Sequence, residues 1–173
     1  MRLFIAIDLT NETKQFLSKI NTEISEIQGI KTVNAENLHL TLLFLGEKNP
    51  NETIKTLKEL KFKSFELELS KFGFFPNRSH IKTLWFGVEK KQELIMMQEK
   101  IAKKFKKQQE YKPHITYARI KHTNSTQRKK IFKTIEKFKT KKLKMCVNKI
   151  RIYSSELTPL GPIHRVIDTI NAS

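Results

Sequence analysis

One cysteine, five glycines and no long apolar run set the first limits on this 173-residue chain. A single thiol, Cys146, cannot form a disulfide within the chain. Its setting, Met145-Cys146-Val147, predicts a buried, inert thiol rather than a nucleophile. Glycine scarcity goes with missing phosphate-cradling loops: neither G-x-x-x-x-G-K-[S/T] nor G-x-G-x-x-G occurs. G-x-S-x-G, H-E-x-x-H and zinc-type cysteine pairs are missing too. The opening run Leu3 to Ile7 is too short for a signal peptide or a membrane span, and no other run qualifies. The expectation is a cytoplasmic chain with no membrane partner. Acidic residues are scarce as well. Against 17 Asp and Glu stand 34 Lys and Arg, a net charge of +17. That excess suits a polyanionic partner, nucleic acid above all. Lysines spread over solvated faces account for it equally well.

What is present reads as alternating strands and helices. Arg2 to Leu9 is a strand buried on both faces near its middle. Thr10 or Asn11 caps a helix to about Gln28, with Phe16, Leu17, Ile20, Ile24 and Ile27 as its apolar stripe and Gly29 as its stop. Lys31 to Val33 is a short strand or loop. Asn37 to Glu47 is a strand ended by Gly46, and Asn49-Pro50-Asn51 opens a weaker helix, Glu52 to Leu60. Phe65 to Phe72 alternates as a half-exposed strand, Gly73 to Ser79 with Pro76 reads as a loop, and Ile81 to Val88 is a strand carrying Trp85. Gln92 to Lys107 is a helix with Leu94, Met97, Ile101 and Phe105 inward. Lys112 to Ile120 is a strand, Asn124 or Ser125 caps a helix from Thr126 to Phe138, and Lys142 to Ser154 is extended. Thr158 to Pro162, through Leu160, is a tight connection before a last strand, Ile163 to Ile170. Consecutive strand pairs argue against a purely parallel sheet.

Two of these strands share a pattern. His39-Leu40-Thr41-Leu42 recurs 75 residues later as His114-Ile115-Thr116-Tyr117. Residues i and i+2 of a strand share a face, so each strand offers an imidazole and a hydroxyl to one side and apolar anchors to the other. Two such strands across a cleft suit acid–base chemistry on a phosphate. A neutral imidazole takes a proton from the attacking oxygen and a charged one gives a proton to the leaving oxygen. The threonine hydroxyls can donate to non-bridging oxygens. This arrangement needs no metal or other cofactor. A lone His-x-Thr is commonly an ordinary half-buried pair; its repetition with apolar flanks points to function. Zinc on His39 and His114 stays open as an alternative, with no third ligand at recognisable spacing. His80, His122 and His164 fall in loops or near strand ends, where structural or exposed roles are expected. Arg119 follows His114 by five, so strict alternation puts it on the opposite face. The halves look duplicated, and with no Pro/Gly-rich linker they read as one domain, residues 1–173, of two lobes.

These motifs, with M-R-L-F-I-A-I-D-L, F-G-F-F-P before L-W-F-G-V, and S-S-E-L-T-P-L-G-P, resemble the two-histidine (2H) phosphoesterase superfamily. Within it, the chain is most similar to the bacterial and archaeal RNA 2′,3′-cyclic phosphodiesterases, long called 2′-5′ RNA ligases. The resemblance implies an α+β fold of two pseudo-symmetric lobes, each an antiparallel sheet with outer helices, and an active-site cleft between them. It implies metal-independent hydrolysis of RNA 2′,3′-cyclic phosphate ends to 2′-phosphomonoesters, with His39 as proton donor and His114 as acceptor. Thr41 and Thr116 then bind the phosphate, and Arg119 enters the substrate site despite its spacing. The implied partner is RNA with cyclic phosphate ends, tRNA fragments among the candidates, acted on by a monomer. His164 stands where the family often has tyrosine.

Two other readings compete. The same site could act on ADP-ribose cyclic phosphate or a 2′-5′ oligonucleotide, or join RNA ends through a 2′-5′ bond. Alternatively the chain is a non-catalytic RNA-binding module using the basic stretches Lys100 to Lys107 and Arg128 to Lys144.

Overall fold

The computed structural model describes residues 1–89, 92–108, 110–139, 142–159 and 161–173. Leu160, assigned above to the tight connection, lies outside them. Every strand pair is antiparallel, and the strands form two sheets. One holds β3 (His39–Glu47), β1 (Arg2–Asp8), β8 (Lys149–Thr158) and β9 (Gly161–Asn171), in that order. The other holds β2 (Ile30–Thr32), β6 (His114–Ile120), β5 (Ile81–Val88), β4 (Phe65–Pro76) and β7 (Leu143–Val147). This is the α+β, two-sheet architecture expected.

The helices begin where the sequence puts caps. α1 (Asn11–Ser25) starts at Thr10, whose hydroxyl accepts from the Thr13 amide. α2 (Pro50–Leu57) starts at Asn49, and α4 (Ser125–Glu136) at Asn124 with a capping box to Gln127. α3 is Gln92–Lys104. α1 lays Phe16 against Phe72 and Phe86 of the five-stranded sheet, while α3 packs beside β3. A contiguous apolar core takes Leu3 and Ile5 from one sheet and Leu84, Phe86 and Ile115 from the other.

The two sheets match when β3, β1, β8 and β9 are laid on β6, β5, β4 and β7. β4 follows β1 and β3 in sequence but pairs with β5, and β8 follows β5 to β7 but pairs with β1. Each half therefore gives strands to the other half's sheet.

Three local expectations need correction. Gly73 to Pro76 continues β4 instead of looping. The change of pattern comes from a bulge around Lys71, whose φ of 67° breaks strict alternation. The extended stretch Lys142 to Ser154 is two strands, β7 and β8, that enter different sheets. Cys146 is exposed, because β7 alternates and turns Met145 and Val147 inward.

Candidate active site

β3 and β6 carry the same sequence of environments. From His39 to Leu45, and from His114 to Ile120, it runs half-buried, buried, half-buried, buried, buried, exposed, buried. Two successive buried residues mark a bulge. In β3 the partner of Ala6 is Thr41 and that of Ile5 is Leu43, so Leu42 is the extra residue. In β6 the partner of Trp85 is Thr116 and that of Leu84 is Ala118, so Tyr117 is extra. An inserted residue switches the face of everything after it. Arg119 is thereby turned to the side that carries His114 and Thr116, contrary to strict alternation. By the same device Phe44 joins His39 and Thr41, 61% exposed.

His39, Thr41, His114, Thr116, Arg119 and Phe44 all line one cleft of about 700 Å³ between the sheets. The five residues singled out from sequence are thus brought together. Tyr111 ties the two motif strands by donating its hydroxyl to the Thr41 carbonyl at 3.2 Å. Outer edges are also closed. Gln98 and Lys107 donate to the β3 carbonyls of Leu42, Phe44 and Leu45, and β2 covers β6.

Both imidazoles are held alike. His39 Nδ1 lies 2.7 Å from the Asn37 carbonyl and His114 Nδ1 lies 2.6 Å from the Lys112 carbonyl. A carbonyl can only accept, so Nδ1 carries the hydrogen in each ring. When the rings are neutral, Nε2 is left as the basic nitrogen, and it is the atom free to exchange protons in the cleft.

Their surroundings differ. His39 packs on Phe4, with ring centroids 4.8 Å apart, and edge-on to His164 at 5.5 Å. Burial pushes its pKa down to about 4, overriding the upward pull of the Asn37 carbonyl; the neighbouring His164 lowers it further. Phe4 also stacks on Tyr153, whose hydroxyl donates to Asp8, and Arg151 pairs with the same carboxylate. Asp8 sits opposite His39 in register and pulls its pKa weakly upward. Burial, then the bond to Asp8, pushes the Tyr153 phenol up to about 12. His114 meets Phe75 edge-on at 5.1 Å and Trp85 at 6.3 Å.

Three groups escaped the sequence reading. His164, expected near a strand end in a structural or exposed role, lines the cleft: β9 folds back on β8 and brings it to His39. Phe44 was legible, since it follows His39 by five as Arg119 follows His114. The Asp8–Arg151–Tyr153 group had no sequence signal, because its members meet only through β1–β8 pairing. Among the described residues, no cluster of three or more His, Cys, Asp or Glu side chains is placed to hold a metal ion.

Comparison with known proteins adds family context to this geometry. Residues 16–158 match the model of the 2′-5′ RNA ligase superfamily. A Methanocaldococcus jannaschii protein named RNA 2′,3′-cyclic phosphodiesterase is 36% identical, the match covering 96% of this chain and 98% of that protein. Its namesake from Thermotoga maritima is 33% identical over 96% of this chain and 93% of its own. Among solved structures, TT0787 of Thermus thermophilus superposes with a TM-score of 0.81 at 25% identity, over 99% of this chain and 97% of its own. Apo LigT of Escherichia coli shares the fold with a TM-score of 0.78 at 22% identity, over 99% and 97%.

Proposed function

The chain belongs to the 2′-5′ RNA ligase superfamily, and from that we propose that it hydrolyses 2′,3′-cyclic phosphates at RNA ends, leaving 2′-phosphomonoesters. The observation that carries this reading is the paired tautomer lock, which leaves Nε2 of both His39 and His114 for proton exchange in one cleft. Water attacks phosphorus as His114 Nε2 takes its proton. The P–O3′ bond breaks as a protonated His39 Nε2 gives its proton to O3′. Thr41 and Thr116 donate to the non-bridging oxygens, and the Arg119 fork neutralises their charge. Phe44 offers an exposed ring on which the terminal base stacks.

Removing either imidazole tests this directly. His39→Ala and His114→Ala should each lower kcat by about 10²–10⁴-fold while leaving the thermal midpoint near that of the parent. Full activity in either variant would remove that histidine from the mechanism. Turnover should survive a chelator; loss with EDTA and rescue by zinc would instead make the pair metal ligands.

A further inference from the structure

The cleft holds polar groups that the proposed mechanism leaves unused, and three of them fall in one row. β1 pairs with β8 as far as Leu3 opposite Ser154, so the next positions in that register are Arg2 and Ser155. Ser155 in turn faces His164 of β9. Adjacent strands lie about 4.8 Å apart, so a guanidinium, a hydroxyl and an imidazole are set side by side across three strands. All three line the cleft. Among the described residues the other lobe has no matching row: β7, the match of β9, has five residues and pairs with β4 only from Phe65 to Leu69.

The row is open to an anion, because the carboxylates around it are taken. Glu47, the register partner of Arg2 on β3, pairs with the N-terminal ammonium at 2.8 Å, Asp8 with Arg151, and Glu156 with Arg165 at 3.7 Å. His164 Nδ1 is buried with no hydrogen-bond partner among the described residues. Buried orphan N–H groups are rare, so the neutral ring carries its hydrogen on Nε2 and offers a donor there. Asn37 fixes this wall of the cleft: its side-chain amide donates to the Pro162 carbonyl at 3.0 Å, while its own carbonyl holds His39 Nδ1.

We propose that Arg2, Ser155 and His164 bind the phosphodiester that joins the terminal nucleotide to the rest of the RNA. The proposal rests on the reading of the cleft given above, with the terminal base on Phe44. A base leaves its ribose at C1′ and the chain leaves at C4′, on the other side of the sugar ring. Phe44 lies on β3, at one edge of the four-stranded sheet, and His164 on β9, at the other. A nucleotide with its base at the first edge and its cyclic phosphate between the two motif histidines sends its 5′-phosphate towards the second. There the guanidinium supplies charge, and the hydroxyl and the Nε2–H supply two further donors. The row then distinguishes an RNA end from a nucleoside cyclic phosphate at the first linkage, and it reads no base.

The test compares three substrates in salt high enough to screen long-range attraction. They are a nucleoside 2′,3′-cyclic phosphate, a dinucleotide ending in the same group, and that dinucleotide with an uncharged methylphosphonate linkage. The readout is kcat/KM for the dinucleotide over that for the nucleoside. In the wild type this ratio should be about tenfold or more, and the methylphosphonate should bring it close to one. Arg2→Gln and His164→Phe should each lower it about three- to tenfold. His164→Phe also alters the packing on His39, but that change moves both substrates together and leaves the ratio where it was. A wild-type ratio near one, a methylphosphonate as good as the phosphodiester, or an unchanged ratio in both variants overturns the subsite alone, provided the wild type hydrolyses the nucleoside substrate. No hydrolysis of any of the three by the wild type overturns the underlying reading as well.

Discussion

At His39, burial and the proposed role as acid pull in opposite directions. With its pKa near 4, the ring is neutral at pH 7 in the free protein. A proton donor must hold a proton, and the bound substrate is the source of the required bias. An anionic phosphate within a few ångströms favours the imidazolium and raises its pKa. Binding of a 2′-phosphorylated product analogue at pH 7 should therefore take up protons. Calorimetry in buffers of different ionisation enthalpy should show that uptake in the wild type and its loss in His39→Gln. No uptake in the wild type would leave His39 neutral in the complex, suited to be the base, with the two roles exchanged. Arg119 makes a second residue-level prediction. Arg119→Ala should lower kcat/KM by about 10-fold or more, and Arg119→Lys should recover only part, because an ammonium lacks the two-pronged donor geometry.

The bulges at Leu42 and Tyr117 are what turn a strand motif into a site. Without them Phe44 and Arg119 would point into the core. The His-x-Thr pairs were legible from sequence because alternation is reliable over three residues. Arg119 was not, because strict alternation was carried across Tyr117-Ala118, where two successive apolar residues shift the parity at the bulge. Gly73 to Pro76 was misread for a related reason: glycine and proline signal a turn, yet here glycine makes room for Trp85 within a strand. Helix caps were readable because they are local, and α4 gives a check. Asn124→Ala breaks a capping box whose Gln127 also donates to the Gln28 carbonyl at 3.1 Å. It should cost about 1 kcal/mol and lower the thermal midpoint by about 2–4 °C, with catalysis unchanged at 25 °C. A change in kcat instead would tie α4 to the cleft.

Across the molecule, charge and protonation set the working conditions. The net charge of +17 adds attraction for long RNA that a mononucleotide barely feels. Salt should therefore depress kcat/KM steeply for an oligoribonucleotide and weakly for a nucleoside 2′,3′-cyclic phosphate. Equal slopes would assign the lysines to solvation alone. Stability should also fall in acid. His39 has a folded pKa near 4, below its ordinary value of 6.5, so the unfolded chain binds the proton first as pH drops. Its contribution is complete above about pH 6.5 and lost towards pH 4, no more than about 3 kcal/mol in all. Denaturant titrations should show that slope reduced in His39→Gln; an unchanged slope would mean the ring is better solvated than its neighbours imply.

The most direct measurement is the identity of the product. The wild-type protein is incubated with an oligoribonucleotide ending in a 2′,3′-cyclic phosphate, and the new terminus is identified by chromatography against both isomers. Proton donation from His39 to O3′ predicts a 2′-phosphate with a free 3′-hydroxyl. A 3′-phosphate, or a cyclic end left intact, would contradict it.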